Sequence, residues 1–131
     1  MSASVDPGLA MLRLLGGTAR GPKREGTFAV WLTMRVAEDL TLPDRPGERA
    51  HRRRVLALEQ RLTSLTLPAP LRRGSQATLA QLRNPRPELA AVALSQLVAP
   101  VRESLGAEAA EAVRGAAAAA QGRVAGRLRQ P

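Results

Sequence analysis

Cysteine and tyrosine are absent from this chain of 131 residues, and histidine, phenylalanine, tryptophan and lysine each occur once. Without cysteine there is no disulfide, no thiolate nucleophile and no cysteine-based zinc or iron-sulfur site. His51 has no second histidine and no acid at ligand spacing, so neither a metal site nor a general base is assigned to it. Ser64, Ser75, Ser95 and Ser104 lack an activating partner and are not read as nucleophiles. No catalytic residue and no cofactor is therefore expected. Phe28 and Trp31, the whole aromatic complement, are too few to form the stacking platform of single-strand readers.

Long apolar runs are missing too: nothing approaches the roughly 20 residues of a membrane span. Residues 1–8 contain Asp6 and no Lys or Arg, and the apolar stretch 9–15 is broken by Arg13. Neither a secretory signal nor a transit peptide is expected, and a cytoplasmic setting fits. A phosphate-cradling loop is suggested by Gly16 and Gly21, but Pro22 precedes Lys23 and Arg24 stands where a hydroxyl is needed. Nucleotide hydrolysis is excluded on that ground.

What the chain has in excess is positive charge: 20 basic residues against 11 acidic ones, a formal net charge of +9. All the basic residues but Lys23 are arginine, a preference that a GC-rich genome produces on its own and that carries little inference. The excess itself points to a polyanionic partner. It is spread along the chain, yet three windows hold no acid. Residues 49–58 contain Arg49, Arg52, Arg53 and Arg54; residues 67–86 contain Arg72, Arg73, Arg83 and Arg86; residues 112–131 contain Arg114, Arg123, Arg127 and Arg129.

The length suits one domain, residues 1–131, burying roughly two thirds of its unfolded surface. Hydrophobic content is 44%, but much of that is alanine, so Leu and Val must build the core. Proline and glycine cut the chain into helix-sized pieces. Asp6-Pro7 opens one that Gly16-Gly17 closes, and a basic loop follows through Gly26. Residues 27–41 suit either strand or helix spacing; helix is preferred because no second strand is available to pair with it. In residues 46–66, Val55, Leu58, Leu62 and Leu65 form one stripe with His51 on the same side, at the edge of the core. Residues 70–83 follow, weakened by Gly74, and then residues 88–105, which Pro100 is expected to kink or split near Val98. Residues 107–131 form an Ala/Gly-rich helix, frayed at its end, whose Gly115, Ala119, Gly122 and Gly126 share a face open to close approach. Residues 1–5 are expected to be disordered. Leu40-Thr41-Leu42-Pro43 recurs as Leu65-Thr66-Leu67-Pro68, too short an echo for a repeat architecture. The fold class is all-α: a single compact bundle of five or six helices with short Pro/Gly-marked turns and Trp31 near its centre.

On the helix after Pro46, the Leu stripe leaves Arg49 and Arg53 on the opposite side, flanked by Arg52 and Arg54. Guanidiniums so placed can each hold a phosphate bidentately, and neutralising about four to six phosphates gives a log-log salt slope of about −4 to −5. The candidate polyanion-binding residues are Arg49, Arg52, Arg53, Arg54, Arg72 and Arg73, with Lys23 and Arg24 as a further anion-attracting corner. A helix-turn-helix over residues 78–98 would present Leu-Ala-Ala-Val-Ala-Leu to the bases, which disfavours sequence readout. The expected function is non-enzymatic docking on a polyanion, a nucleic-acid backbone or a ribonucleoprotein. The expected partner is nucleic acid or an acidic protein surface; the alternative function is a helical adaptor or scaffold subunit acting through protein-protein or self-association contacts, by the small-residue face of the last helix or Leu-rich surface, in a homo-oligomer or larger assembly. Peripheral membrane contact is disfavoured, because it needs bulky apolar residues that the core does not already use.

Overall fold

Proline and glycine punctuate the chain much as the sequence implies. In the computed structural model, described for residues 22–128, α1 spans Pro22–Asp39, α2 Glu48–Thr63, α3 Ala69–Leu82, α4 Pro87–Leu105 and α5 Ala107–Leu128. No strand occurs among the described residues, and the ambiguous segment from residue 27 is helical throughout α1. The expected helix before Gly16, the expected disorder of residues 1–5 and the last three residues lie outside the described part. None of the five helices is long and apolar enough to cross a membrane.

α1 starts at Pro22 rather than near Thr27, so Lys23 and Arg24 stand in a first helical turn and not in a loop. Proline's fixed φ suits the opening position, and Glu25 complements the positive helix end. Its carboxylate also accepts the Thr66 backbone N–H at 2.6 Å, tying this end to the α2–α3 connection. Gly26 does not break the helix because Leu71 packs where its side chain would be: a Cβ there would lie 2.8 Å from Leu71 Cδ2.

α1 touches all four other helices. Its deepest residues are Ala29, Val30, Thr33, Met34 and Ala37, all fully buried. The bulky aromatics lie to one side. Trp31 is only partly buried and meets Phe28 at 6.1 Å between ring centroids, so the expectation that it sits near the centre is not met: a helix crowded on several faces has no room inside for an indole.

α4 and α5 pack most extensively. One residue joins them, Gly106, at φ 99°, a left-handed conformation that glycine adopts without steric cost. α5 buries Ala109, Ala110, Val113, Ala116, Ala117 and Ala120, a smooth stripe that lets the two axes approach. The large core volume comes from leucines elsewhere, among them Leu62, Leu71, Leu79, Leu82, Leu94 and Leu97, each essentially inaccessible.

Pro100 does not split α4, which is helical from Pro87 to Leu105. Gly74 likewise lies within a continuous helix, α3. A Cβ at Gly74 would sit 2.7 Å from Pro100 Cβ, so the two supposed helix breakers are the contact at which α3 and α4 come together. His51 lies in the core rather than at its edge: it is 0% exposed, with Nε2 2.6 Å from the Leu82 carbonyl oxygen.

The connections define two ends of the bundle. At one, the start of α1 meets the start of α3 and the end of α4, through Gly26 with Leu71 and Leu105. At the other, the start of α2 meets the end of α3 through His51 and Leu82, and the end of α5 meets the end of α1, Arg127 Nη2 donating to the Thr41 carbonyl at 2.7 Å.

Candidate functional site

The arginines named from the sequence divide between these two ends. α2 is 16 residues long, about 24 Å at the helical rise. Arg49, Arg52 and Arg53 occupy its first half, all exposed. Arg72 and Arg73 follow its far end in α3, close to the first turn of α1 that holds Lys23 and Arg24. The two sets do not form one patch.

Pairing thins them further. Arg54 is paired with Asp39 at the end of α1, at 2.8 Å. Arg72 is half-buried, its Nη2 donating at 2.9 Å to the carbonyl of Leu65 in the α2–α3 connection. Both belong to the structure of the bundle more than to its surface charge. Arg24 is exposed. Arg73 is exposed and makes no ion pair among the described residues.

The acid-free windows do not survive folding either. Arg83 donates two hydrogen bonds to Glu59 of α2; that hydrogen bond and the carboxylate's charge raise its pKa above the ordinary arginine value. Arg114 pairs with Glu111 at 2.9 Å within α5. Arg123 Nε donates to Thr41 Oγ1 at 2.8 Å. With Arg127 one turn on, it holds the end of α5, which is helical to Leu128 and not frayed within the described residues.

Further arginines meet at the end where α2 and α4 begin. Arg45, Arg52, Arg86 and Arg127 line a cleft of about 500 Å³. Two carboxylates, Glu48 and Glu88, share its wall; Glu48 meets Arg52 at 3.9 Å with both side chains more than half exposed, a contact that water weakens. Arg45 and Arg86 make no ion pair among the described residues. Arg49 and Arg53 stand beside the cleft on the outer face of α2, likewise without a carboxylate partner. α2 has Gly47 as N-cap and no side-chain cap, and its first backbone bond is His51 N–H to the Gly47 carbonyl at 2.9 Å. The preceding amides face an anion-favouring field.

Sequence reasoning found Arg52 of this cleft and missed Arg45, Arg86 and Arg127 as its companions. Arg45 lies between acids in the chain, and Arg86 and Arg127, 41 residues apart, fell in separate windows. Only the return of α5 to the start of α4 brings them together. The chain matches no protein-family model, no curated protein and no solved structure, so the functional reading rests on this geometry.

Proposed function

We propose that this protein is a non-enzymatic, nucleic-acid-binding protein of basic character that docks on the phosphate backbone of duplex or structured nucleic acid without reading its bases. The observation that supports it most is the exposed trio Arg49, Arg52 and Arg53 at the start of α2, with Arg45 and Arg86 next to it. A helix face carrying several guanidiniums meets phosphates in register and supplies a sequence-independent, salt-sensitive affinity. Base reading has no obvious element: α4, the second helix across the Asn84 to Pro87 turn, buries Ala90, Ala93, Leu94 and Leu97 completely.

Fluorescence anisotropy with generic duplex DNA and structured RNA tests the reading. With Arg54 and Arg72 committed elsewhere, about three to four phosphates are engaged, giving a log-log salt slope of about −3 to −4. The double variant Arg49→Gln, Arg53→Gln should flatten the slope by about two units. Absence of binding at low salt, or binding with no slope, overturns it.

A second reading, an adaptor that packs against an acidic protein surface, has an observation of its own. Leu32, Val36 and Leu58 line a groove of about 290 Å³ between α1 and α2, flanked by Arg35 and Arg61. The outward face of α5 at Gly115, Ala119 and Gly122 is also exposed. This reading requires self-association or a co-purifying partner, and a monomer sedimenting alone at high concentration counts against it.

A further inference from the structure

We propose that the cleft between the starts of α2 and α4 and the end of α5 seats the terminal nucleotide of a nucleic-acid strand, held by a terminal phosphate monoester. This rests on the backbone-docking reading and adds to it a place for the strand end.

The first argument is shape. A duplex backbone is a convex ridge and meets an exposed helix face, whereas an open cleft of about 500 Å³ has room to seat a unit of small-molecule size. A strand end, or a free nucleotide, presents such a unit together with a phosphate monoester.

The second is charge. Four guanidiniums against two carboxylates leave two positive charges around the cleft. A phosphate monoester carries about −1.5 to −2 at neutral pH, with a second pKa near 6, and an internal phosphodiester carries only one negative charge. The match is to the terminal group. Arg127 is positioned beforehand, its Nη2 bound to the Thr41 carbonyl at 2.7 Å, so part of the ordering cost of binding is met by the fold.

The third is the remainder of the wall. Pro85, Pro87 and Val124 give it an apolar side against which a sugar or base edge can rest. Asn84 contributes an amide with both donor and acceptor, the pair that suits a base edge. Glu48 and Glu88 can accept from sugar hydroxyls. No aromatic lines the cleft, so the phosphate supplies the affinity and base preference is weak.

The test uses the full chain and one oligonucleotide sequence with an internal fluorophore, prepared with a 5′-phosphate, with a 3′-phosphate, with hydroxyls at both ends, and as a closed circle. Adenosine monophosphate serves as competitor. A phosphorylated end should bind about tenfold tighter than the hydroxyl-ended strand or the circle, the equivalent of one charge-assisted contact. Adenosine monophosphate should abolish that advantage. Arg86→Gln should remove the ratio, while Arg49→Gln weakens every form and leaves the ratio standing. Equal affinity for all four forms overturns the cleft assignment and leaves backbone docking intact; no binding by any form overturns both. Binding of adenosine monophosphate with no preference for phosphorylated ends overturns the strand end as the occupant.

Discussion

His51 carries an imidazole into the interior and uses one nitrogen there. Nε2 lies 2.6 Å from the Leu82 carbonyl oxygen, a contact that requires the proton on Nε2, while Nδ1 is buried without a partner among the described residues. The Leu82 carbonyl belongs to the last turn of α3, where no intrahelical donor remains. The histidine thus closes a helix that is distant in sequence. His51→Ala opens a cavity and orphans that carbonyl, and it should cost about 2–4 kcal/mol, measured by urea denaturation; His51→Gln, which restores a donor, should recover part of the loss. Reading His51 on the same side as Val55 and Leu58 was possible from spacing alone. Its partner was not, since a backbone carbonyl carries no signature in the sequence.

Among the helices, the α3–α4 contact shows two effects of opposite sign at one residue. Replacing Gly74 by alanine improves intrinsic helix propensity by about 1 kcal/mol. The added Cβ, however, falls 2.7 Å from Pro100 Cβ and Cγ, on a rigid ring that cannot rotate away. Overpacking of this kind costs about 1–3 kcal/mol, so Gly74→Ala should lower the Tm, measured by circular dichroism. Propensity arguments took Gly74 and Pro100 for separate weaknesses because propensity is a property of one helix, and their complementarity is a property of two. The end of α5 follows the same logic. A glycine-rich terminus is poorly helical by itself, yet Arg123 and Arg127 pin it to Thr41 across the bundle.

For the molecule as a whole, the net charge of +9 is less evenly available than its placement along the chain implies. Folding commits Arg54 and Arg83 to carboxylates and Arg72, Arg123 and Arg127 to oxygens of neighbouring elements. Of the exposed surplus among the described residues, Arg45, Arg49, Arg53 and Arg86 stand about the starts of α2 and α4, while Arg35, Arg61, Arg73 and Arg102 lie elsewhere. If that surplus holds nucleic acid, protein purified without a high-salt wash should show an elevated 260/280 nm absorbance ratio. A wash at about 1 M salt, where the screening length falls to about 3 Å, should return it to that of a protein with a single tryptophan. With no tyrosine to add absorbance at 280 nm, even slight carry-over is visible; a ratio unaffected by the wash speaks against a bound polyanion.

The sequence alone determined the helical class, the positions of most turns and the sign of the chain's own net charge, because periodicity, proline, glycine and net charge act locally or add up without regard to geometry. Tertiary structure decided which arginines are available. An ion pair such as Arg83 with Glu59 joins residues that chain windows keep apart, and the cleft exists only because α5 returns antiparallel to α4 and sets Arg127 beside Arg86. Charge is additive along a chain, but a binding surface is made by what folding places side by side.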